Sequence, residues 1–286
     1  SSYDRLTALD NSFLILEKSN AYMHVASTLV FEAGPLRKPG GGIDAEAIKR
    51  SFAASLHLIP RYRQRLEWVP LTNQPVWVDD ERFQLDFHIR HSALPQPGDD
   101  AQLKRLSSRI MQQHLDRRRP LWELWIVEGL EGDRFALISK VHHCMIDGIA
   151  GVDMLKILLS PFPDHEVHEA QHFVPRPAPS GLELLRDEVA HWASLPMEAA
   201  RGVGSLMAAA QERRRDLLTR GRAVAETLGA SFRTTTPTPL NGKIGPHRRF
   251  DWLVMDLAEI KAIRRALGGS LNDIVLTVVT GAVRRF

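Results

Sequence analysis

The segment from Pro120 to His143, PLWELWIVEGLEGDRFALISKVHH, constrains the fold more than any other part of the chain. Its two halves are rich in β-branched and aromatic residues, and the turn GLEGDR separates them, which is typical of a β-hairpin. The stretch GIAGVDMLKILLS follows with an apolar stripe at helical spacing, formed by Gly151, Val152, Leu155, Leu158 and Leu159. A hairpin followed directly by an amphipathic helix predicts a layered α/β domain.

The rest of the chain alternates in the same way. Strand patterns occur in HVASTLVFEAG, PVWVDD, FQLDFHIRHSAL and FDWLVMDL. Helical patterns occur in DAEAIKRSFAASLHLIPRYRQRL, where Asp44 is the expected N-cap, and in DDAQLKRLSSRIMQQHL, which begins at Asp99 or Asp100. Two further helices are expected in AEIKAIRRAL and SLNDIVLTVVTGAVRRF. The sequence therefore predicts an α/β fold with mixed sheets and flanking helices.

The composition changes between residues 161 and 181, which are rich in proline and histidine and have the signature of a linker. Residues 1–160 then form a first domain. Residues 182–286 form a helical connection and the start of a second domain. The last helical pattern reaches Phe286 without a cap, and we expect it to continue into further polypeptide of the same protein.

Composition and charge exclude several classes of protein. The formal charge of +3 is small for 286 residues, and no zinc-finger spacing or dense basic stripe accompanies it, so no nucleic-acid partner is expected. Cys144 is the only cysteine, which rules out an intrachain disulfide and fits a reducing compartment. We see no apolar run of membrane-spanning length and no leader, so we expect a cytoplasmic protein.

The motif HHCMIDG, at the end of the second hairpin strand, is the strongest candidate for chemistry. Strand alternation places Val141 and His143 on one face and Lys140 and His142 on the other, so the two histidines have different surroundings. Adjacent residues on opposite faces rarely converge on one ion, so no metal site is expected. Apolar neighbours would raise the pKa of Cys144, which disfavours a thiol nucleophile. A general base at a rigid strand-to-helix corner fits best, and a pair of structural histidines is the alternative.

HHCMIDG resembles the HHxxxDG motif of the superfamily that contains chloramphenicol acetyltransferase, peptide-synthetase condensation domains and the bacterial wax ester synthase/diacylglycerol acyltransferases. The stretches LTALDNSFLILEKSNAYMHV, PLWELWIVEGL, LNGKIGPHRRF and SLNDIVLTVVTGAVRRF are similar to the last of these families. The resemblance thus covers the whole chain. It implies a chloramphenicol-acetyltransferase-like architecture of two domains with the active site in a channel between them, and residues 1–160 as the N-terminal acyltransferase domain. Members of the family are longer by roughly half this chain, so the second domain would be incomplete here.

The resemblance also implies roles for individual residues. His143 would be the general base, His142 its support, and Asp147 a structural residue that orients the corner and caps the following helix. Gly148 would allow a tight turn or a close approach to a ligand. Asn272 and Asp273 would support the motif from the second domain, although either residue could simply begin the last helix. Residues that line the pocket or hold the structure would be Pro120, Leu121 and Trp122.

The activity that the resemblance implies is transfer of a long acyl chain from acyl-coenzyme A to a diacylglycerol or fatty alcohol. Acyl-coenzyme A would be a substrate, and no cofactor is expected. A condensation-type enzyme that uses a carrier-bound thioester and a non-catalytic lipid-binding module are the alternatives. Arg117, Arg118 and Arg119 could bind coenzyme A phosphates or form a solvated face. The basic helix around Arg213 could support peripheral contact with the inner membrane or a lipid droplet.

Overall fold

The computed structural model of the chain describes residues 2–146, 170–191 and 242–285. Its contacts divide it into two compact units, Ser1–Arg248 and Arg249–Phe286. The helix expected after Asp147 and most of the helical connection, including Arg213, lie outside the described residues. The predicted division at residues 161 and 181 remains a prediction.

A four-stranded mixed sheet forms the centre of the first unit. Its strands are β2 (His24–Glu32), β5 (Ile89–Ala93), β6 (Trp122–Leu130) and β7 (Arg134–His142). They lie in the order β2-β7-β6-β5, with β5 parallel to β6 and the other neighbours antiparallel. The expected hairpin is β6–β7, and its turn uses positive φ angles at Gly132 and Asp133. The predicted α/β class with a mixed sheet is confirmed.

A smaller antiparallel sheet contains β1 (Tyr3–Arg5), β4 (Pro75–Asp79) and β3 (Gln64–Trp68), in the order β1-β4-β3. The described part of helix α5, residues 181–191, packs its buried Leu184 on this sheet. Arg176 is tied to the same sheet by three hydrogen bonds to Asp79, one from its backbone amide at 2.9 Å and two from its guanidinium at 2.9 and 3.1 Å. The second half of the predicted linker therefore lies against the first unit.

Two helices of the first unit begin at the caps that the sequence predicts, but the helical pattern expected to reach Leu66 ends at Ser55, and Gln64–Trp68 forms β3 instead. The helices of this unit are α1 (Ala8–Leu16), α2 (Ala45–Ser55), the short α3 (Leu85–His88) and α4 (Asp100–Met111). Asp44 caps α2, and its carboxylate accepts the Ala47 amide at 3.0 Å. Asp99 caps α4 in a capping box with Gln102. The strand predicted over FQLDFHIRHSAL is wrong at its start, because α3 occupies that position and the ladder with β6 begins only at Ile89.

The second unit contains α6 (Leu257–Leu267) and α7 (Leu271–Arg285). Both helices were expected, but the strand predicted in FDWLVMDL is not formed, since residues 249–256 pair with no described strand. A strand needs a neighbouring edge, and its side-chain pattern alone does not provide one. Among the described residues no single helix is long and apolar enough to cross a membrane. Helices α6 and α7 meet that requirement only as a pair, bent by 98°.

Candidate active site

The two histidines lie at the corner where β7 ends. His142 is the last residue of β7, and His143 begins a 3-10 turn that continues to Met145. The amide of His142 donates to the Leu121 carbonyl at 2.9 Å, and the amide of His143 donates to the Met23 carbonyl at 2.7 Å. Backbone bonds to two different segments therefore fix the position of both residues.

His142 is buried, with 1% of its surface exposed. Its Nδ1 accepts the Cys144 amide at 3.2 Å and lies 3.0 Å from the Cys144 Sγ. Because Nδ1 accepts the Cys144 amide, Nε2 is the ring nitrogen that carries a proton. Nε2 faces the Glu17 Oε1 at 3.6 Å. The imidazole is therefore buried with a hydrogen bond on the Nδ1 side and a carboxylate near Nε2 but beyond hydrogen-bond distance, which gives His142 the surroundings of a supporting residue.

Glu17 is a part of this arrangement that the sequence analysis missed. Its carboxylate accepts Arg117 Nη2 at 2.7 Å and the Met23 amide at 3.3 Å, and His114 Nδ1 lies 3.6 Å away. Burial opposes ionisation, but the nearby His142 and the bonds from Arg117 and Met23 outweigh it and hold the pKa of Glu17 well below its usual range.

A local signal could have identified Glu17. It is the C-cap of α1, where a carboxylate is unfavourable to the helix dipole. A residue that breaks a local rule often serves a tertiary contact instead.

His143 has different surroundings. Its ring stacks on Phe13 of α1, with the ring centres 4.0 Å apart and an interplanar angle of 21°. The residue is partly exposed, and its Nδ1 has no hydrogen-bond partner among the described residues. A partly exposed imidazole at a rigid corner is the arrangement that a general base requires.

The face assignments made from strand alternation are confirmed. Lys140, on the same face as His142, donates to the carbonyls of Ile110 and Gln113 beyond the sheet. Val141, on the opposite face, belongs to the main hydrophobic cluster. Which of the two histidines acts as the base remains a prediction.

Cys144 does not have the surroundings of a nucleophile. It is buried, and burial raises the pKa of its thiol far above the ordinary value. Over residues 2–146, 170–191 and 242–285, no three His, Cys, Asp or Glu side chains form a group that could hold a metal ion. The thiol nucleophile was already disfavoured by the sequence.

Pro120, Leu121 and Trp122 hold the corner from behind. All three are buried, and the Leu121 carbonyl anchors His142. Trp122 donates from Nε1 to the Tyr62 carbonyl at 2.9 Å and stacks on His88, with ring centres 4.6 Å apart. Their contacts among the described residues are structural.

The arginines at 117–119 do not form an open cluster. Arg117 is paired with Glu17, and Arg118 forms two 3.0 Å bonds to Asp116. Arg119 lies over the Phe87 ring, with its guanidinium carbon 3.8 Å from the ring centre. This stretch therefore offers no set of free guanidinium groups for a phosphate.

The remaining predicted site residues lie in the second unit or outside the described residues. Asp147 and Gly148 lie outside the described residues. Within the second unit, Asp273 accepts the amide and the hydroxyl of Ser270 at 2.7 and 2.8 Å, an arrangement that caps α7. Asn272 is exposed in the same turn. The capping role is thus observed for Asp273, and support of the histidines by the pair stays a prediction.

Comparison with known proteins identifies the family. A family model described as the wax ester synthase/diacylglycerol acyltransferase catalytic domain matches residues 6–275. The chain belongs to the wax ester synthase/diacylglycerol acyltransferase family. The match includes the corner, Glu17, and Asn272 with Asp273, so all of these belong to the family's catalytic domain.

Two relatives and one solved structure define the extent of the similarity to this family. The protein named probable diacylglycerol O-acyltransferase tgs3, from Mycobacterium tuberculosis, is 35% identical over 262 residues, which are 91% of this chain and 95% of that protein. A second relative from that organism, named putative diacylglycerol O-acyltransferase MT3172, is 34% identical over 99% of this chain and 59% of its own length. The wax ester synthase/diacylglycerol acyltransferase from Marinobacter aquaeolei VT8 has 28% identity and a TM-score of 0.64, over 99% of this chain and 60% of that one. The chain therefore spans nearly all of one relative and about three fifths of the other two proteins.

Proposed function

We propose that this protein transfers a long acyl chain from acyl-coenzyme A to the hydroxyl of a diacylglycerol or a fatty alcohol, which gives triacylglycerol or a wax ester. The observation that carries the proposal is the corner after β7. There one histidine is buried between Cys144 and Glu17, while the next is partly exposed at a fixed position. Membership of the family supports this reaction class.

In this reaction His143 takes the proton of the acceptor hydroxyl, and the alcohol oxygen attacks the carbonyl carbon of the thioester. The tetrahedral intermediate collapses, the carbon–sulfur bond breaks, and the thiolate leaves and takes a proton from the imidazolium of His143. A thioester already has a good leaving group, so the reaction needs no metal or cofactor and no acyl-enzyme intermediate. His142 does not exchange a proton with the substrate. It supports the corner that carries His143.

The lipid nature of the acceptor is supported by α1, the helix that carries Phe13. Leu9, Ile15 and Leu16 of this helix are large apolar side chains that lie exposed beside the corner. Such a surface suits an apolar substrate or partner. The curated relatives named above are called diacylglycerol O-acyltransferases, which favours diacylglycerol as the acceptor. Because both proposed products are lipids, contact with a membrane surface or lipid droplet remains part of the proposal.

The function is tested by incubating purified protein with palmitoyl-coenzyme A and either dioleoylglycerol or hexadecanol, while free thiol is followed. Thiol release that depends on the acceptor is the expected result, and the preferred acceptor separates triacylglycerol from wax ester synthesis. Release only from an acyl group bound to a carrier protein would indicate a condensation-type enzyme instead. Binding of the lipid without any release would identify a non-catalytic lipid-binding module.

A further inference from the structure

A cavity of about 510 Å³ with several charged residues in its lining lies in the first unit, at the edge of the small sheet. None of its lining residues belongs to the histidine corner. The lining includes three arginines, two carboxylates and one aromatic ring, which are Arg61, Arg63, Arg176, Asp4, Asp79 and Phe173. The charged residues of the lining thus carry one more positive than negative charge.

Arg63 is the unusual member of this set. Only 9% of its surface is exposed, yet it forms no ion pair with a described carboxylate, and its buried Nε has no hydrogen-bond partner among the described residues. Its guanidinium carbon lies 4.3 Å from the centre of the Phe173 ring. A stacked ring leaves the in-plane N–H donors of a guanidinium unused.

The carboxylates of the cavity are already engaged by other groups. Arg176 donates to both oxygens of Asp79, at 2.9 and 3.1 Å, and lies 3.7 Å from Asp4. The side-chain amide of Gln64 also donates to each of the two carboxylates, at 3.2 Å to Asp4 and at 3.1 Å to Asp79. These contacts engage both carboxylates, and neither lies within ion-pair distance of Arg63, so only the more distant charge of Asp79 offsets its burial.

A buried charge without a partner is costly, and an anion that enters the cavity would offset that cost. We propose that this cavity binds a phosphate group, with Arg63 as its principal contact. Guanidinium groups bind phosphate through pairs of parallel hydrogen bonds, and the several oxygens of a phosphate can accept from more than one arginine. The phosphate comes either from solution or from the nucleotide end of the acyl donor. Binding is measured without turnover, so the proposal does not depend on the function assigned above.

The test measures thermal unfolding of the protein in increasing inorganic phosphate, against sodium chloride of equal ionic strength. A ligand that binds only the folded state raises the melting temperature. We expect that rise in the native protein and in the control variant Arg82→Gln, whose side chain is exposed on a nearby loop, and we expect it to be lost in Arg63→Gln. Without phosphate, Arg63→Gln should melt no lower than the native protein, since it removes an unpaired buried charge. If Arg63→Gln fails to fold, Arg63→Lys keeps the charge and should retain a weaker response.

Calorimetric titration with coenzyme A and with pantetheine distinguishes the two sources. If the phosphate is that of the donor, coenzyme A binds, pantetheine does not, and Arg63→Gln weakens coenzyme A binding by about ten- to a hundredfold. If the source is free phosphate, the response to inorganic phosphate depends on Arg63, whereas the affinity for coenzyme A is the same in the native protein and in Arg63→Gln. An absence of any response in the native protein, or equal responses in the native protein and Arg63→Gln, would overturn the proposal.

Discussion

His142 and His143 are adjacent in sequence but have different neighbours. The His142 ring lies between Cys144 and Glu17, whereas the His143 ring stacks on Phe13. We expect His143→Ala to lower turnover by about 10²- to 10⁴-fold, the usual contribution of a positioned base, with little change in melting temperature. His142→Ala should cost less rate and more stability, about 1 to 3 kcal/mol, because the partners of a buried ring are left unsatisfied.

Thiol release and thermal melting of both variants check this assignment. His172→Ala is the matched control, since His172 is exposed and far along the chain from the corner. A stable and inactive His142→Ala together with an unstable and active His143→Ala would reverse the two roles.

Glu17 acts through His142, so we infer that it is a positioning residue. Glu17→Gln keeps the shape of the side chain but removes its charge, and we expect kcat to fall more than KM changes. It should also lower stability at neutral pH by about 1 to 3 kcal/mol, because Arg117 loses its carboxylate partner.

The pKa of Glu17 is depressed in the folded state, so its contribution to stability is complete above its unfolded pKa and disappears as pH falls toward the folded pKa. The difference in unfolding free energy between native protein and Glu17→Gln should therefore shrink below about pH 4.3, the ordinary pKa of glutamate. Glu46→Gln, at an exposed position, should show no such difference. A difference that stays constant down to pH 2 would contradict the role of the Glu17 charge.

At the scale of elements, the fully buried Lys140 of β7 connects this strand to α4. Lys140 is fully buried and donates to the carbonyls of Ile110 and Gln113, and it lies 3.5 Å from Glu123. Burial lowers the pKa of this lysine, and Glu123 raises it in part. We interpret this contact as the cap for the C-terminal end of α4, where a positive charge is favourable.

Lys140→Met removes that cap and leaves Glu123 paired only with the partly exposed Arg90 among the described residues. We expect a loss of about 3 to 5 kcal/mol in unfolding free energy, as is usual when one partner of a buried pair is removed. Denaturant unfolding measures it, with Lys18→Met at an exposed position as the control. Equal stability of Lys140→Met and the native protein would show that the contact does not hold α4.

The elements also show what a sequence pattern can and cannot predict. The hairpin strands β6 and β7 and the caps at Asp44 and Asp99 depend on local chemistry, and they were predicted correctly. The strand in FDWLVMDL was wrong because forming a strand requires a partner edge, which no local pattern encodes. For the same reason alternation separated the faces of His142 and His143 but could not bring Glu17 to His142, since that contact joins residues far apart in the chain.

At the scale of the whole molecule, hydrogen bonds from Arg176 to Asp79 attach the segment around Arg176 to the small sheet. Burial opposes ionisation of Asp79, but the bonds from Arg176 and Gln64 prevail and lower its pKa to about 2. The attachment should therefore be complete above about pH 4, the ordinary pKa of aspartate, and should be lost as pH falls toward 2.

Asp79→Asn should release the segment already at neutral pH. Hydrogen exchange of the amides of residues 181–191 should become faster in this variant. Asp86→Asn, at an exposed carboxylate that pairs only with Lys49 among the described residues, should exchange like the native protein. Unchanged exchange in Asp79→Asn would mean that Leu184 and its neighbours hold the segment without the ion pair.

The register of β2 against β7 places His24 opposite His142, a pairing between residues about 120 positions apart. Such a pairing has a high contact order, and closing so long a loop is entropically costly before any other contact stabilises it. During synthesis on the ribosome, Glu17 and Met23 emerge long before the strand that carries the two histidines. The corner that carries His142 and His143 is therefore expected to be among the last features of the first unit to form, and refolding monitored at His143 should lag behind closure of the local β6–β7 hairpin.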